Sequence, residues 1–161
     1  MTKLYPPTLP FAGGCPCEAV RFVVKAMPLL VDACHCRECQ RWSGSAFSMS
    51  MPVKAEAFAI TCGEPKHWRR IGANGVESTY WFCGECGGRV YGQRSGRPDI
   101  VSVRAGTLDD TSWVRPIAHV YMRSAQAWER NPNHAECFDI MPKDFWTLAN
   151  KWQELWEVAT S

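Results

Sequence analysis

The chain has 161 residues, a formal net charge of +2, 46% hydrophobic residues and 21% charged residues. That is length enough for one ordinary domain with its own core, residues 1–161, and the balance excludes a disordered tail protein. No run of about 18 apolar residues occurs, so no transmembrane helix or membrane partner is expected. A charge of +2 is also too small to argue for a nucleic-acid partner.

Residues 1–13 are rich in proline and expected to be irregular. Met1–Pro10 holds one Lys, three Pro and no apolar run, so no secretory signal is expected, and a reducing, cytoplasmic setting follows. In Glu18–Lys25, apolar Val20, Phe22 and Val24 alternate with Arg21 and Lys25, the period of a strand. Leu29–Ala33 reads as a second short strand. Phe47, Met49, Met51 and Val53 alternate with Ser48, Ser50 and Pro52 as a third. Further strands are expected at Phe58–Thr61, His67–Ile71, Val76–Phe82, Arg89–Gly92, Ile100–Arg104 and Ile117–Tyr121. Turn signals separate them at Cys62–Pro65, Asn74–Gly75, Gly87–Gly88, Gly96–Pro98 and Asp109–Asp110. Many short strands at this spacing predict a mainly β fold.

The C-terminal segment differs. Phe145, Leu148, Ala149, Trp152, Leu155 and Trp156 recur at helical intervals, with Lys151, Glu154 and Glu157 off that stripe. An amphipathic helix over about 144–158 is expected, with Asp144 as its N-cap. The stripe either packs on its own domain or stays exposed to dimerise or to cover a ligand. Three of the eight Trp (Trp146, Trp152 and Trp156) lie on this helix, which makes a homodimer through it the working expectation.

Nine Cys are the informative residues, and an odd number cannot all pair as disulfides. Seven fall in three tight groups: Cys15-Pro16-Cys17, Cys34-His35-Cys36-Arg37-Glu38-Cys39, and Cys83-Gly84-Glu85-Cys86 followed by two glycines. Such spacing puts two or three thiolates in one turn, where soft sulfurs can meet one ion at about 2.3 Å each. Glycine after the last pair lets the backbone turn and point N–H groups at ligated sulfurs. Two pairs together would make a closed four-cysteine site, and the triplet would leave one position open, but spacing does not say which groups pair. A redox use of Cys83 and Cys86 would need a βαβ context that the pattern lacks, and the ferredoxin spacing of an iron–sulfur protein is absent. His35, between two ligands, is expected to orient or solvate rather than coordinate. Cys62 and Cys137 are isolated and expected to be small buried hydrophobes.

With their surroundings these groups resemble the glutathione-dependent formaldehyde-activating enzyme family, also called the centromere protein V family. The resemblance rests on Gly14–Cys17 leading into Ala19–Phe22, on Cys34–Cys39 followed by Gly44–Phe47, and on Phe82–Gly87. It continues through Val103–Asp109 and ends with His119, Arg123–Ala125 and Trp128. It covers about residues 13–130 and leaves the C-terminal helix outside. It implies an Mss4-like fold of several small antiparallel sheets around zinc. It also implies two zinc ions per chain, one structural on Cys15, Cys17, Cys83 and Cys86, the other catalytic on Cys34, Cys36 and Cys39. Two positions depart from the family pattern: Glu18 stands where glycine is usual, and Gly88 where serine is common.

The implied activity is a carbon–sulfur lyase acting on a small thiol–aldehyde adduct such as S-hydroxymethylglutathione, with glutathione as partner. A coordinated thiol loses its proton outright, and the thiolate is the nucleophile. Arg41, Trp42, Ser45 and Arg104 are the expected substrate-binding residues, with Arg37, Ser43 and His119 also near family-like segments. The alternative is a non-catalytic zinc-binding module, a thiol-adduct carrier or a protein-interaction domain. A methionine sulfoxide reductase would need a separate exposed catalytic cysteine, for which only Cys62 and Cys137 remain.

Overall fold

The computed structural model describes residues 6–72, 75–129 and 135–160, with the side chains of 157–160 outside the description. Asn74, half of an expected turn, lies outside the described residues, as do residues 1–5 of the proline-rich start. The chain divides into two compact units interleaved in sequence. The first comprises Leu29–Met51 and the chain from Trp113 onward; the second comprises Pro7–Pro28 and Pro52–Ser112.

The strands are β1 (Phe11–Gly14), β2 (Arg21–Val24), β3 (Asp32–Cys34), β4 (Ser48–Lys54), β5 (Phe58–Cys62) and β6 (Lys66–Ile71). They continue as β7 (Glu77–Phe82), β8 (Arg89–Arg94), β9 (Arg97–Arg104), β10 (Ala118–Val120) and β11 (Glu136–Cys137). The helices are α1 (Arg37–Ser43) and α2 (Phe145–Thr160). The described strands form two sheets, so the fold is mainly β. In the first unit the strand order is β11-β10-β3-β4. Strand β4 runs on into the second unit, where the order is β4-β9-β8-β7-β6, and β1-β2-β5 forms the other sheet.

Not every ladder is antiparallel. Strand β10 runs parallel to both β3 and β11, with Val120 opposite Cys34 and His119 opposite Cys137. Between β3 and β10 the chain makes a long excursion through the second unit, and between β10 and β11 it runs 15 residues (121–135), so neither pair is bound by the short hairpin that forces neighbours antiparallel. Residues 11–13, expected to be irregular, belong to β1 and pair with β2. Proline enrichment masked a strand that starts just after Pro10. The expected Gly96–Pro98 turn sits earlier: Arg94 pairs with Arg97, leaving Ser95 and Gly96 as the turn, and Pro98 lies in β9. Leu29–Val31 is buried but makes no ladder, and the strand there begins only at Asp32.

Apolar burial follows strand period in both units. Phe22 and Val24 on β2, Val53 on β4, Val90 on β8 and Val103 on β9 are fully buried in the second unit, and the Phe22 ring packs against Phe58 at 5.5 Å. In the first unit Leu30, Val31, Ala33, Met51 and Val120 are buried together with the inner face of α2. That face is Leu148, Ala149, Trp152 and Trp156, and Trp156 stands edge-on to Trp113 at 6.4 Å. Asp144 caps the helix, accepting from the Trp146 N–H and the Thr147 hydroxyl at 2.9 Å each. The Asp144 carboxyl is held below its ordinary pKa by those bonds, Thr147 first. The helix thus buries its aromatic stripe on its own unit, leaving Trp146 and Leu155 exposed. Of the three Trp on which a dimer was expected, Trp152 and Trp156 are covered by the helix's own unit and Trp146 is exposed. No helix among the described residues is long and apolar enough to cross a membrane.

Trp152 is 1% exposed, and its indole N–H has no hydrogen-bond partner among the described residues. Trp152→Ala is therefore expected to destabilise the fold by about 3–5 kcal/mol in chemical denaturation. Trp152→Phe is expected to cost far less, because it keeps most of the ring volume and removes an unpaired donor.

Candidate metal centres

The cysteines of the second unit converge from two loops. Cys15 and Cys17 lie between β1 and β2, and Cys83 and Cys86 lie between β7 and β8. Their four sulfurs all lie within 4.8 Å of one another. Cys15 and Cys17 are 3.5 Å apart and Cys17 and Cys83 are 3.7 Å apart. A tetrahedron with 2.3 Å arms has edges of about 3.8 Å, so this spacing suits one four-coordinate ion. All nine cysteines are free, so none of these pairs is a disulfide.

Backbone donors surround the group. The Val20 N–H reaches the Cys15 sulfur at 3.3 Å, Glu85 N–H the Cys83 sulfur at 3.4 Å, and Gly88 N–H the Cys86 sulfur at 3.4 Å. These bonds help hold negative charge on sulfur. The Gly88 N–H, followed by that of Cys17, brings the Cys86 thiol down to about 7. Burial works against the Cys15 thiolate, yet the Val20 N–H together with Cys17 and Cys83 brings the thiol below its ordinary value. The Ala19 N–H favours the Cys17 thiolate, but neighbouring Cys86 and Cys15 outweigh it and push that thiol up to about 12. Four sulfurs this close cannot all ionise without a cation.

Both departures from the family pattern find a structural reading. Glu18 has φ 62, the left-handed conformation for which glycine is the usual residue. Gly87, at φ 71, makes the turn after the second cysteine pair. A Cβ on Gly88 would meet the Pro16 ring at 2.7 Å, the Cys86 sulfur at 3.2 Å and the Cys15 Cβ at 3.3 Å. A serine Cβ at this position would press on the Pro16 ring, so one of the two loops would have to shift to admit it.

The other cluster lies in the first unit. Cys34 ends β3, Cys36 is the N-cap of α1, and Cys39 lies in its first turn; their sulfurs are within 4.8 Å of one another. The Cys36 sulfur accepts the Cys39 N–H at 3.4 Å. The Cys34 thiol is pushed far up by Cys36 and Cys39, with burial adding to it. Without a cation this cluster therefore stays protonated at Cys34. Three sulfurs leave one position of a tetrahedral ion open.

Helix α1 was not anticipated. Its seven residues are mostly polar and carry no apolar period, and it is held by the Cys36 cap and by Gly44 at φ 64 as C-cap. Its residue Gln40, also missed, is buried and joins the ligand loop to Ser124 and Gln126 through its side-chain amide. Sequence alone offers no signal for such a contact between distant segments.

His35 is fully buried and turned inward, where its Nε2 is 2.9 Å from His119 Nδ1. The Phe47 ring packs on His35 at 5.2 Å. His35 Nδ1 has no partner among the described residues. A buried N–H without an acceptor costs more than a lone pair without a donor, which favours His35 Nε2 as the donor to His119. Burial lowers the pKa of both imidazoles, and the mutual charge of His119 lowers His35 further.

A shallow cavity of about 360 Å³ lies along α1, lined by Arg37, Arg41, Ser45, Gln126 and Trp128 among others. It unites expected Arg41 and Ser45 and adds Trp128, which is 73% exposed. Trp42 is half-buried on α1 outside this lining, and Arg104 belongs to the second unit, at the end of β9. His119 is occupied by His35 rather than facing the cavity. Cys62 and Cys137, expected to be buried, are both exposed, since each ends a strand at the surface.

The family model described as glutathione-dependent formaldehyde-activating enzyme matches residues 10–124. The chain belongs to this family. The match ends before Gln126, Trp128 and α2, so the outer wall of the cavity and the terminal helix lie beyond the shared core. A solved structure of a Rhodobacter sphaeroides protein is similar in fold, with a TM-score of 0.51 and 22% identity. The match covers 65% of this chain and 91% of that one. No curated protein matches the chain.

Gly88→Ala is expected to weaken metal binding at the four-cysteine group and leave the three-cysteine group unchanged, as read by zinc competition titration. The imidazole pair sets a pH dependence. With folded-state pKa values below the ordinary 6.5, the unfolded chain takes up protons first as pH falls. Stability from this pair is full above about pH 6.5 and declines below it. His119→Gln is expected to show a shallower acid-side decline in its denaturation midpoint than the parent protein.

Proposed function

We propose that the protein is a two-zinc carbon–sulfur lyase acting on the adduct of a small carboxylate-bearing thiol with an aldehyde, S-hydroxymethylglutathione being the model substrate. The observation that carries this reading is the three-sulfur cluster of Cys34, Cys36 and Cys39, held within 4.8 Å. Family membership supports glutathione as the thiol and formaldehyde as the aldehyde. The cysteine sets fit zinc, four thiolates for a closed structural ion and three for one with an open position.

When bound on Cys34, Cys36 and Cys39, zinc supplies the charge that lets an incoming thiol ionise. The chemistry then needs little else. In the forming direction the substrate thiolate attacks the aldehyde carbon, the C–S bond forms, and the carbonyl electron pair moves to oxygen, which takes up a proton. In the cleaving direction the hydroxyl loses that proton, C=O reforms, and the C–S pair leaves with sulfur. The protein contributes binding and orientation. Arg37 and Arg41 stand one helical turn apart on α1 and can hold carboxylates, with Ser45 and Gln126 as further polar partners and Trp128 as a planar cover.

The test is a thiol titration of cobalt-substituted protein. Adding glutathione is expected to shift the absorption bands of one of two bound cobalt ions, and Cys36→Ser is expected to remove that response. Arg41→Ala is expected to weaken the response to glutathione by about tenfold while leaving that to uncharged 2-mercaptoethanol unchanged. If no thiol alters the spectrum, the protein is a metal-binding module and the lyase reading fails.

A further inference from the structure

We propose that Gln40 is the positioning residue of the three-cysteine site: its side-chain amide locks the loop from Cys34 to Cys39 in the shape that brings the three sulfurs together. The inference rests on reading that cluster as a metal site.

Gln40 lies in α1 and is 5% exposed. Its side chain uses its full hydrogen-bonding capacity. Nε2 donates to the His35 carbonyl at 2.6 Å and to the Ser124 carbonyl at 2.8 Å. Oε1 accepts from Arg37 Nη1 and from Gln126 Nε2, the latter at 3.0 Å. The His35 carbonyl belongs to the peptide that joins His35 to Cys36, between two of the three sulfur-bearing residues. Fixing that oxygen fixes the direction in which Cys36 leaves the backbone. The Gln40 backbone N–H holds the next carbonyl, that of Cys36, at 3.0 Å. One residue therefore grips the peptides on both sides of Cys36.

The anchors are remote. Ser124 and Gln126 are 84 and 86 residues from Gln40. They follow β10 through Tyr121, whose φ of 58 breaks the strand and starts the turn Met122–Ser124. The imidazole of His35 is pinned from the same segment by His119. A ligand loop that is local in sequence is thus referenced to a distant part of the same unit.

Glutamine suits the position for a chemical reason. A neutral amide offers two donors to two carbonyls and two acceptor sites to two cationic or amide donors. Glutamate would set a negative charge against the His35 and Ser124 carbonyls, and an apolar residue would leave both without a partner. Three sulfurs that repel when ionised bind a cation best when the loop is already shaped for them. Partners of this kind, outside the ligand set, are typically worth about 10–100-fold in metal affinity.

The experiment compares full-length protein with Gln40→Met, which keeps the side-chain volume, and Gln126→Ala, which removes one of the four bonds. Zinc competition and cobalt absorption are read at both sites, with the four-cysteine group as internal reference. Gln40→Met is expected to lower zinc affinity at the three-cysteine site by about 10–100-fold and leave the other site unchanged, with Gln126→Ala in the same direction and smaller. Amide exchange at Cys39 and Gly44 is expected to rise in Gln40→Met. Unchanged affinity at the three-cysteine site overturns the proposal, and so does an equal loss at both sites, which marks a general folding role. If the parent binds metal only at the four-cysteine group, the metal-site reading fails, and exchange then decides Gln40 alone: unchanged rates at Cys39 and Gly44 overturn it.

Discussion

The sulfurs of Cys17 and Cys83, 66 residues apart in sequence, stand 3.7 Å from each other. Thiol groups tolerate that distance when protonated, but thiolates repel strongly unless a cation lies between them. The second unit is organised around this constraint. The loop between β1 and β2 and the loop between β7 and β8 both turn so that backbone N–H groups face sulfur. The residues that make those turns are small or strained, with Gly87 and Glu18 both in the left-handed region and Gly88 so close to Pro16 that a side chain there would require a shift. A divalent ion bound at this point would convert ligand affinity into folding free energy and tie strands distant in sequence.

The three-cysteine cluster answers a different problem. Its sulfurs come from six consecutive residues, so the chain need not travel to gather them. What has to be supplied is orientation. A seven-residue helix begins on Cys36, a buried glutamine ties the loop to Ser124, and a buried imidazole pair fixes His35 away from the sulfurs. The polar network here is saturated at Gln40, as a buried polar side chain must be if it is to rigidify rather than destabilise. On the proposed reading the two groups would divide the uses of metal: four sulfurs would close around an ion and hold strands together, and three would leave one position for a substrate, in the same unit as the arginine-lined cavity along α1.

Legibility in the sequence followed the range of the interaction. Strands β2 and β4–β10 were visible as runs of period two or β-rich residues between turn signals, and the terminal helix as a stripe of period 3.6 capped by Asp144. Strand β1 was hidden by its proline neighbours, and β11 is two residues long, too short to show a period. Helix α1 was hidden because Arg37–Ser43 has no apolar face. Cys62 and Cys137 show that cysteine's usual preference for burial says nothing about a residue at the end of a surface strand.

By itself, the sequence determined the chemistry: three cysteine groups at metal-binding spacing, a mainly β chain between them and an aromatic helix at its end. Spacing within each group fixes what two or three neighbouring thiols can do, because local geometry is set by a few dihedral angles. It does not fix which groups meet. The pairing of Cys15 and Cys17 with Cys83 and Cys86 was implied only by the family resemblance and is brought about by tertiary structure, which also decided the His35–His119 contact, the four bonds of Gln40 and the burial of most of the α2 stripe. Apart from the bonds of Gln40 to His35 and Arg37, each joins residues far apart in the chain, and only the whole set of strand ladders and buried side chains brings such residues within bonding distance.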